Sequence, residues 1–537
     1  MPLYDDRGDS SDFESEADSD ATLNYNSSSS PSPPSSRHLE TVHSCLRAIW
    51  IQSWRTTAGR IGFALLPSFV QSRIHREENS KPKKLYPTAY LDGMRGLAAL
   101  FVFFCHFAYG CFRLTKGYGY EYDDGDLNTF FLQLPFIRLF YSGPPMVSIF
   151  FIISGYALSL KPLRLMRSHS WSDLTTTVTS SIFRRGMRLF IPCFISTFMV
   201  LLLVQGGFYE TNREFAADKH FFPAIEEHHT LQLETFSEQF WDWIWRMFEF
   251  IHVWTFDQFG GSMGYDLHLW TIPLEFRASM VLFLLQMGLA RVRTWIRWCC
   301  LVGFAWFCMR NNRWEMILFV AGMMLAELDL IRTARRNTQR ESHSHHSHPA
   351  SPLPTYTDIF SEKAKQVTRN GAFRKYSWYV VAVCALYLMS TPDDAADEAP
   401  GYMWLDSWIP EYFEHRNRFW QGVGSIMFVL ATNFSPALQK PFNTAFVQYF
   451  GRISYAIYLM HGPVIHTAGY TILRWSWNLT GSKTDGQYAF GFLLAAVFVV
   501  PLTVWAADVF CRFIDEPVVR FAKWVETQCV VEDGHKK

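Results

Sequence analysis

The sequence predicts an all-α, polytopic membrane bundle of about ten transmembrane helices. Three observations carry that expectation. Composition is the first: 49% of the 537 residues are hydrophobic, 17% are aromatic and only 18% are charged, with Lys+Arg and Asp+Glu balanced at 49 each. That is the profile of a multi-pass membrane chain. The second is a series of apolar runs, each near the roughly 20 residues that cross about 30 Å of hydrocarbon. The third is an alternation of charge between the loops that join them.

Residues 1–84 precede the first run. They open with "MPLYDDRGDSSDFESEADSD" and "NSSSSPSPPSSR", acidic and Ser/Pro-rich, with too few apolar side chains to offset the entropy of ordering. A disordered cytosolic tail is expected. It lacks the basic and apolar regions of a cleaved signal peptide, so an internal span would direct insertion. The stretch from Arg47 to Ile74 is amphipathic and dotted with arginine, and reads as a helix lying on the membrane surface.

The membrane domain is placed at 85–525, with a cytosolic tail at 526–537. Its apolar runs lie near 93–112, 136–160, 187–209, 267–290, 294–310, 313–330, 376–391, 418–434, 446–472 and 488–511. Arg73, Arg76, Lys81, Lys83 and Lys84 precede the first run, and Lys161, Arg164, Arg167, Arg184, Arg185 and Arg188 sit between the second and third. Both segments should be cytosolic. The loop 210–266 carries eleven acids against three bases, and the loop after Thr391 holds Asp393, Asp394, Asp397 and Glu398. Both should face the lumen or exterior. The insert 331–375, with nine bases and three acids, returns to the cytosolic side, so both termini are expected there, in an endomembrane such as the endoplasmic reticulum or in the plasma membrane.

Other features exclude function classes. Most of the ten cysteines fall in or beside apolar runs, where they behave as small hydrophobes and not as a disulfide framework. No nucleic-acid footprint, phosphate-binding glycine loop or zinc-spaced Cys/His set occurs. No bound metal or cofactor is expected. "HSHHSH", His343 to His348, reads as a polar linker, and His252 with Asp257 as a chance H-x4-D match. Asn478-Leu479-Thr480 is a glycosylation acceptor on the expected luminal side, whereas the sequons at Asn26 and Asn433 lie toward the cytosol. Trp241, Trp243, Trp245 and Trp254 suit packing at a membrane surface.

Ionisable groups inside apolar runs point to function, because a charge there is costly. Arg95 sits near the cytosolic start of the first run, and His106 follows eleven residues on, about 16 Å deeper. Glu275 lies eight residues past Leu267, about 12 Å from the opposite face, near the expected depth of His106. His461 arrives with Ser454, Tyr455 and Tyr458 in "FGRISYAIYLMHGPVIH". A histidine and a carboxylate at one depth suit general acid/base work on a hydroxyl, and equally a proton path. Arg95, Arg184, Arg185 and Arg188 at span mouths suit a multiply phosphorylated donor such as acyl-CoA, or plain cytosolic anchoring.

These residues resemble a family. "YLDGMRGLAALFVFFCHF", with its Arg-x10-His spacing, is similar to the first span of the acyltransferase 3 family of integral membrane acyltransferases. "VSIFFIISGYALS", "FRRGMRLFIP", "DLHLWTIPLEFRAS", "GRISYAIYLMH" and "FCRFIDEPVVRFAK" resemble later blocks of that family, in order, across roughly Leu85 to Lys523. The resemblance implies transfer of an acyl group, commonly acetyl from acetyl-CoA as co-substrate, to a hydroxyl of a small molecule, with a glycan or lipid acceptor as the alternative. It implies His106 as base or acyl carrier, Arg95 as donor contact, and Glu275 and His461 as supporting groups. The wording "HLWTIPLEFRAS" resembles the fungal branch, which includes enzymes that tailor secondary metabolites. The rival class is a proton-coupled transporter, for which inverted halves would be expected and none is evident.

Overall fold

Pro67 interrupts a helix in the first of two units. The computed structural model describes residues 57–74, 85–122, 125–225, 229–255, 263–345 and 376–531, divided into one unit within residues 3–84 and another within residues 85–537. In the first, α1 (Thr57–Leu65) and α2 (Ser68–Ile74) meet at Pro67, which has no N–H to continue a helix. Gln71 Nε2 donates to the carbonyls of Phe63 and Leu66, both at 2.8 Å. The acidic tail, Asn26, Asp257, most of the 331–375 insert and the last six residues lie outside the described residues.

The second unit is helical. Among the described residues its only β features are two isolated bridges, Glu121 with Leu127 and Met263 with Asp266. Its long helices are α3 (Ala89–Tyr109), α4 (Gly143–Arg167) and α5 (Trp171–Gln205). Two helices of the 210–266 segment follow, α6 (Glu210–Ala216) and α7 (Phe236–Phe250). Then come α8 (Thr271–Gly288), α9 (Thr294–Arg310), α10 (Trp314–His345) and α11 (Tyr376–Met389). The last are α12 (Arg416–Phe434), α13 (Ala445–Val464), α14 (Tyr470–Thr480), α15 (Asp485–Phe510) and α16 (Glu516–Cys529).

Helix is found along every expected apolar run, and among the described residues five helices are long and apolar enough, by length and composition, to cross a membrane: Ala89–Tyr109, Gly143–Arg167, Trp171–Gln205, Leu267–Gly288 and Asp485–Cys529. This is fewer than the ten expected. The reasons are local. Helix α9 has 17 residues, α10 carries Glu315, Glu327 and Asp329 on its inner stretch, and α12 opens on Arg416 and Arg418. Two acids of α10 are paired inside the bundle: Arg277 of α8 meets Glu315 at 3.1 Å, and Arg297 of α9 pairs with Glu327. Buried ions in a bundle need such partners.

Local sequence sets the helix ends. Pro144 and Pro145 open α4 where no N–H is needed. Thr235 and Glu238 close a capping box on α7, and Thr484 accepts from the Gln487 amide to start α15. Outside, α15 exposes Phe490, Leu493, Val497 and Phe498 while burying Ala495 and Val499, as expected for a helix facing lipid.

Two glycine contacts fix the bundle's centre. A Cβ on Gly96 of α3 would fall 2.3 Å from the Gly451 nitrogen of α13, and one on Gly155 of α4 would fall 2.2 Å from the Phe319 oxygen of α10. Each helix pair touches backbone to backbone, a geometry that small residues alone permit. The first pair carries the histidines described next.

Candidate active site

The α3–α13 pair runs in parallel from an arginine end to a histidine end. Arg95 and His106 lie eleven residues apart on α3, about 16 Å along the axis, and His461 is four residues before the end of α13's regular turn pattern at Ile465. A third histidine, His268, enters from the 3-10 turn Leu267–Trp270 that precedes α8.

The three imidazoles form one cluster. Ring centroids are 4.0 Å apart for His106 and His268, 5.2 Å for His106 and His461, and 4.7 Å for His268 and His461. One ring nitrogen of each lies within 4.8 Å of one from each of the others. His268 and His461 are buried and His106 is half-buried. Hydrogen bonds fix two tautomers. His268 Nδ1 donates to Asp266 Oδ1 at 2.9 Å, and His461 Nδ1 donates to the Ile457 carbonyl at 3.1 Å. In the neutral rings the lone pair is therefore on Nε2 of both.

The turn that presents His268 is held from three sides. Asp266 Oδ1 also caps the His268 backbone N–H at 3.0 Å. Tyr458 donates to the His268 carbonyl, and its hydroxyl lies 2.6 Å from that of Thr271. Gly462 of α13 supplies the floor, where an added Cβ would stand 2.8 Å from His268 Nδ1 and 3.0 Å from Asp266 Oδ1.

Beyond the cluster, α13 passes into a π-helical turn, Ile465–Gly469, a feature often found at functional sites. It carries His466, whose Nδ1 lies 3.1 Å from Nδ1 of His229. His229 Nε2 donates to the Tyr209 carbonyl at 2.6 Å, so its Nδ1 accepts from His466. Burial and the neighbouring His466 push His229 down to about 4.

At the arginine end, Arg95 donates to Ser454 at 3.1 Å and to Asp92 at 3.0 Å. Arg188 feels Arg185, Arg184, Asp515 and Arg95. Arg184 pairs with Glu526 at 3.0 Å, and Arg185 pairs with Glu275 at 2.7 Å. Glu275 also accepts from Ser154 at 3.0 Å. The four arginines named from sequence thus gather at one end, three of them held by carboxylates of the chain: Arg95 by Asp92, Arg184 by Glu526 and Arg185 by Glu275.

Sequence reasoning placed Glu275 near the depth of His106, as a group that would support it. The structure brings it to Arg185, seven residues and about 10 Å beyond His268 along the chain, and the carboxylate that meets the cluster is Asp266. His461 does join His106. His268 and Asp266 were not singled out, nor were His466 and His229; the Asp-x-His pair at the very start of the 267–290 run was the available signal. Asn478 is exposed in the last turn of α14.

Long apolar helices thus surround a largely buried histidine cluster, with cations gathered at the other end of the α3–α13 pair, an arrangement that suits acid/base chemistry on a substrate with an anionic arm. Residues 88–512 match the family described as acyltransferase domain, Acyl_transf_3, and the chain belongs to this acyltransferase 3 family. It is 33% identical over 472 residues to O-acetyltransferase PaAT-1 of Phomopsis amygdali, covering 86% of this chain and 87% of that protein. It is 26% identical to acyltransferase R4 of a Phoma species, covering 81% and 95%, and 25% identical to acyltransferase clz18 of Cochliobolus lunatus, covering 83% and 96%. No solved structure matches the chain.

Proposed function

We propose that this acyltransferase moves an acetyl group from acetyl-CoA to a hydroxyl of a small molecule, a secondary metabolite in preference to a glycan or lipid. The histidine cluster carries this reading. His106 takes the hydroxyl proton, the oxygen attacks the thioester carbonyl, the carbon–sulfur bond breaks, and His106 returns the proton to the CoA sulfur. His268, oriented by Asp266, and His461 stabilise the imidazolium that forms between those events. The name of PaAT-1 supports acetyl as the group and oxygen as the acceptor atom.

Arg95 and Arg188 hold donor phosphate, while Arg184 and Arg185 brace the mouth through Glu526 and Glu275. The separation between Arg95 and His106 suits a long thin arm such as pantetheine. The helices along all ten apolar runs support ten spans, with the buried charges of α9 and α10 paired between helices. Loop charge supports cytosolic termini and a glycosylated Asn478 in the lumen of an endomembrane or outside the plasma membrane.

The test is acetyl-CoA turnover by the purified chain in detergent, with a panel of hydroxylated small molecules. Acceptor-stimulated CoA release that falls about 10²–10⁴-fold in His106→Ala, with expression intact, is expected. Full activity in His106→Ala would remove the histidine from the mechanism, and transport of a preformed ester without CoA release would favour a transporter.

A further inference from the structure

The cluster has an arrangement that proton transfer alone does not require. Three imidazoles from three separate elements bring one nitrogen each within 4.8 Å of the others. Two have their Nδ1 hydrogens committed elsewhere, His268 to a carboxylate and His461 to a backbone carbonyl. That is the outer-shell pattern that orients metal-binding histidines, fixing the tautomer and raising the basicity of the other nitrogen. Three nitrogen ligands with a fourth position open to solvent or substrate are a preferred set for Zn²⁺.

The geometry points to a Zn²⁺-class metal site formed by His106, His268 and His461, whose occupation switches acyl transfer off. With Zn–N bonds of about 2.0–2.1 Å, ligand nitrogens in a tetrahedral site stand roughly 3.3 Å apart. The observed spacing, within 4.8 Å, closes to that distance by small rotations of the three rings, the half-buried His106 having the most room to move. The switch rests on the acyltransferase reading above: the lone pair that takes the acceptor's proton is the one the metal takes. The cluster therefore has two mutually exclusive states, one that moves protons and one that holds a metal. The site itself rests on geometry and stands apart from that reading.

The experiment uses the full chain with His343→Ser, His345→Ser, His346→Ser and His348→Ser, so that the histidine-rich tract cannot supply ligands. Zn²⁺ binding is followed by calorimetry in detergent, and Co²⁺ by the visible bands of tetrahedral coordination. One ion per chain is expected, lost in His268→Ala and in His461→Ala, and weakened about 10–100-fold in Asp266→Asn. Thermal melting checks that each variant is folded. Zn²⁺ should block acetyl-CoA turnover with the midpoint of its binding curve, and EDTA should restore it. No binding by the tract-free chain, or binding unchanged in both histidine variants, overturns the site. Binding at the cluster with turnover unaltered overturns the switch. Absence of turnover in metal-free protein would count against the acyltransferase reading and leave the binding result to decide the site.

Discussion

One oxygen of Asp266 accepts two hydrogen bonds from His268, from the backbone N–H at 3.0 Å and from ring Nδ1 at 2.9 Å. The same atom thus sets the turn that presents the ring and the nitrogen that carries its proton. Asp266→Asn preserves size but presents an amide that can turn a donor toward Nδ1, allowing the other tautomer. Turnover should fall about 10²–10⁴-fold while the KM for acetyl-CoA stays near its wild-type value. A variant with ordinary kcat would show that the pair shapes the turn and nothing more.

Gly462 is the second control point. An alanine there places a methyl 2.8 Å from His268 Nδ1, closer than packed atoms stand, and the pinned pair has little room to yield. Gly462→Ala should lower kcat as Asp266→Asn does, with the protein still extracted as a folded monodisperse species. Gly288, where an added Cβ meets nothing within 4 Å, is the control, and Gly288→Ala should be silent in the same turnover assay.

The arginines should separate into two kinds. Arg95→Ala is expected to raise the KM for acetyl-CoA with a smaller change in kcat, since its loss weakens ground-state and transition-state binding alike. Arg185→Ala instead leaves Glu275 largely buried without its cation, at a cost of about 3–5 kcal/mol. Its signature is a lowered melting temperature in detergent. An Arg185→Ala chain that melts normally would show that Ser154 alone satisfies Glu275.

His229 predicts a pH response. Its folded value of about 4 lies below the ordinary histidine value of about 6.5, so the unfolded form binds the proton more tightly. The stabilising contribution is complete above about pH 6.5 and declines as pH falls toward 4. Protection of the amides in residues 205–216 and 229–235, taken as exchange relative to the intrinsic rate at each pH, should decline as pH falls through that window, and His229→Gln should flatten the decline. Protection that does not change with pH would mean that the loop opens without exposing the ring.

The histidines on α3 and α13 were legible because a polar residue inside an apolar run is conspicuous. His268 was not, because it sits on the 3-10 turn before α8, where a sequence reading sees the end of a polar loop and counts Asp266 only as one of its acids. Depth counting from Leu267 brought Glu275 near His106, but the start of that segment already reaches the cluster. His268 sits against His106, so Glu275, seven residues on, lies about 10 Å further along α8, where it meets Arg185 of α5. Hydropathy alone marks fewer spans than the apolar runs do because α10 keeps acids on its inner stretch by pairing them within the bundle, Glu315 with Arg277 and Glu327 with Arg297, and such pairing leaves no mark in a hydropathy profile.

His106 lies ten residues beyond Gly96, and His461 ten residues beyond Gly451, each about 15 Å from the point where those glycines meet. The two helices are thus equal arms of a pair of calipers with a common pivot. A change of about 4° in their crossing angle opens or closes the jaws by roughly 1 Å over that length. The gap between the two imidazoles is therefore set far from the imidazoles themselves. A bulkier residue at the pivot would reset the jaws of the instrument without touching either tip.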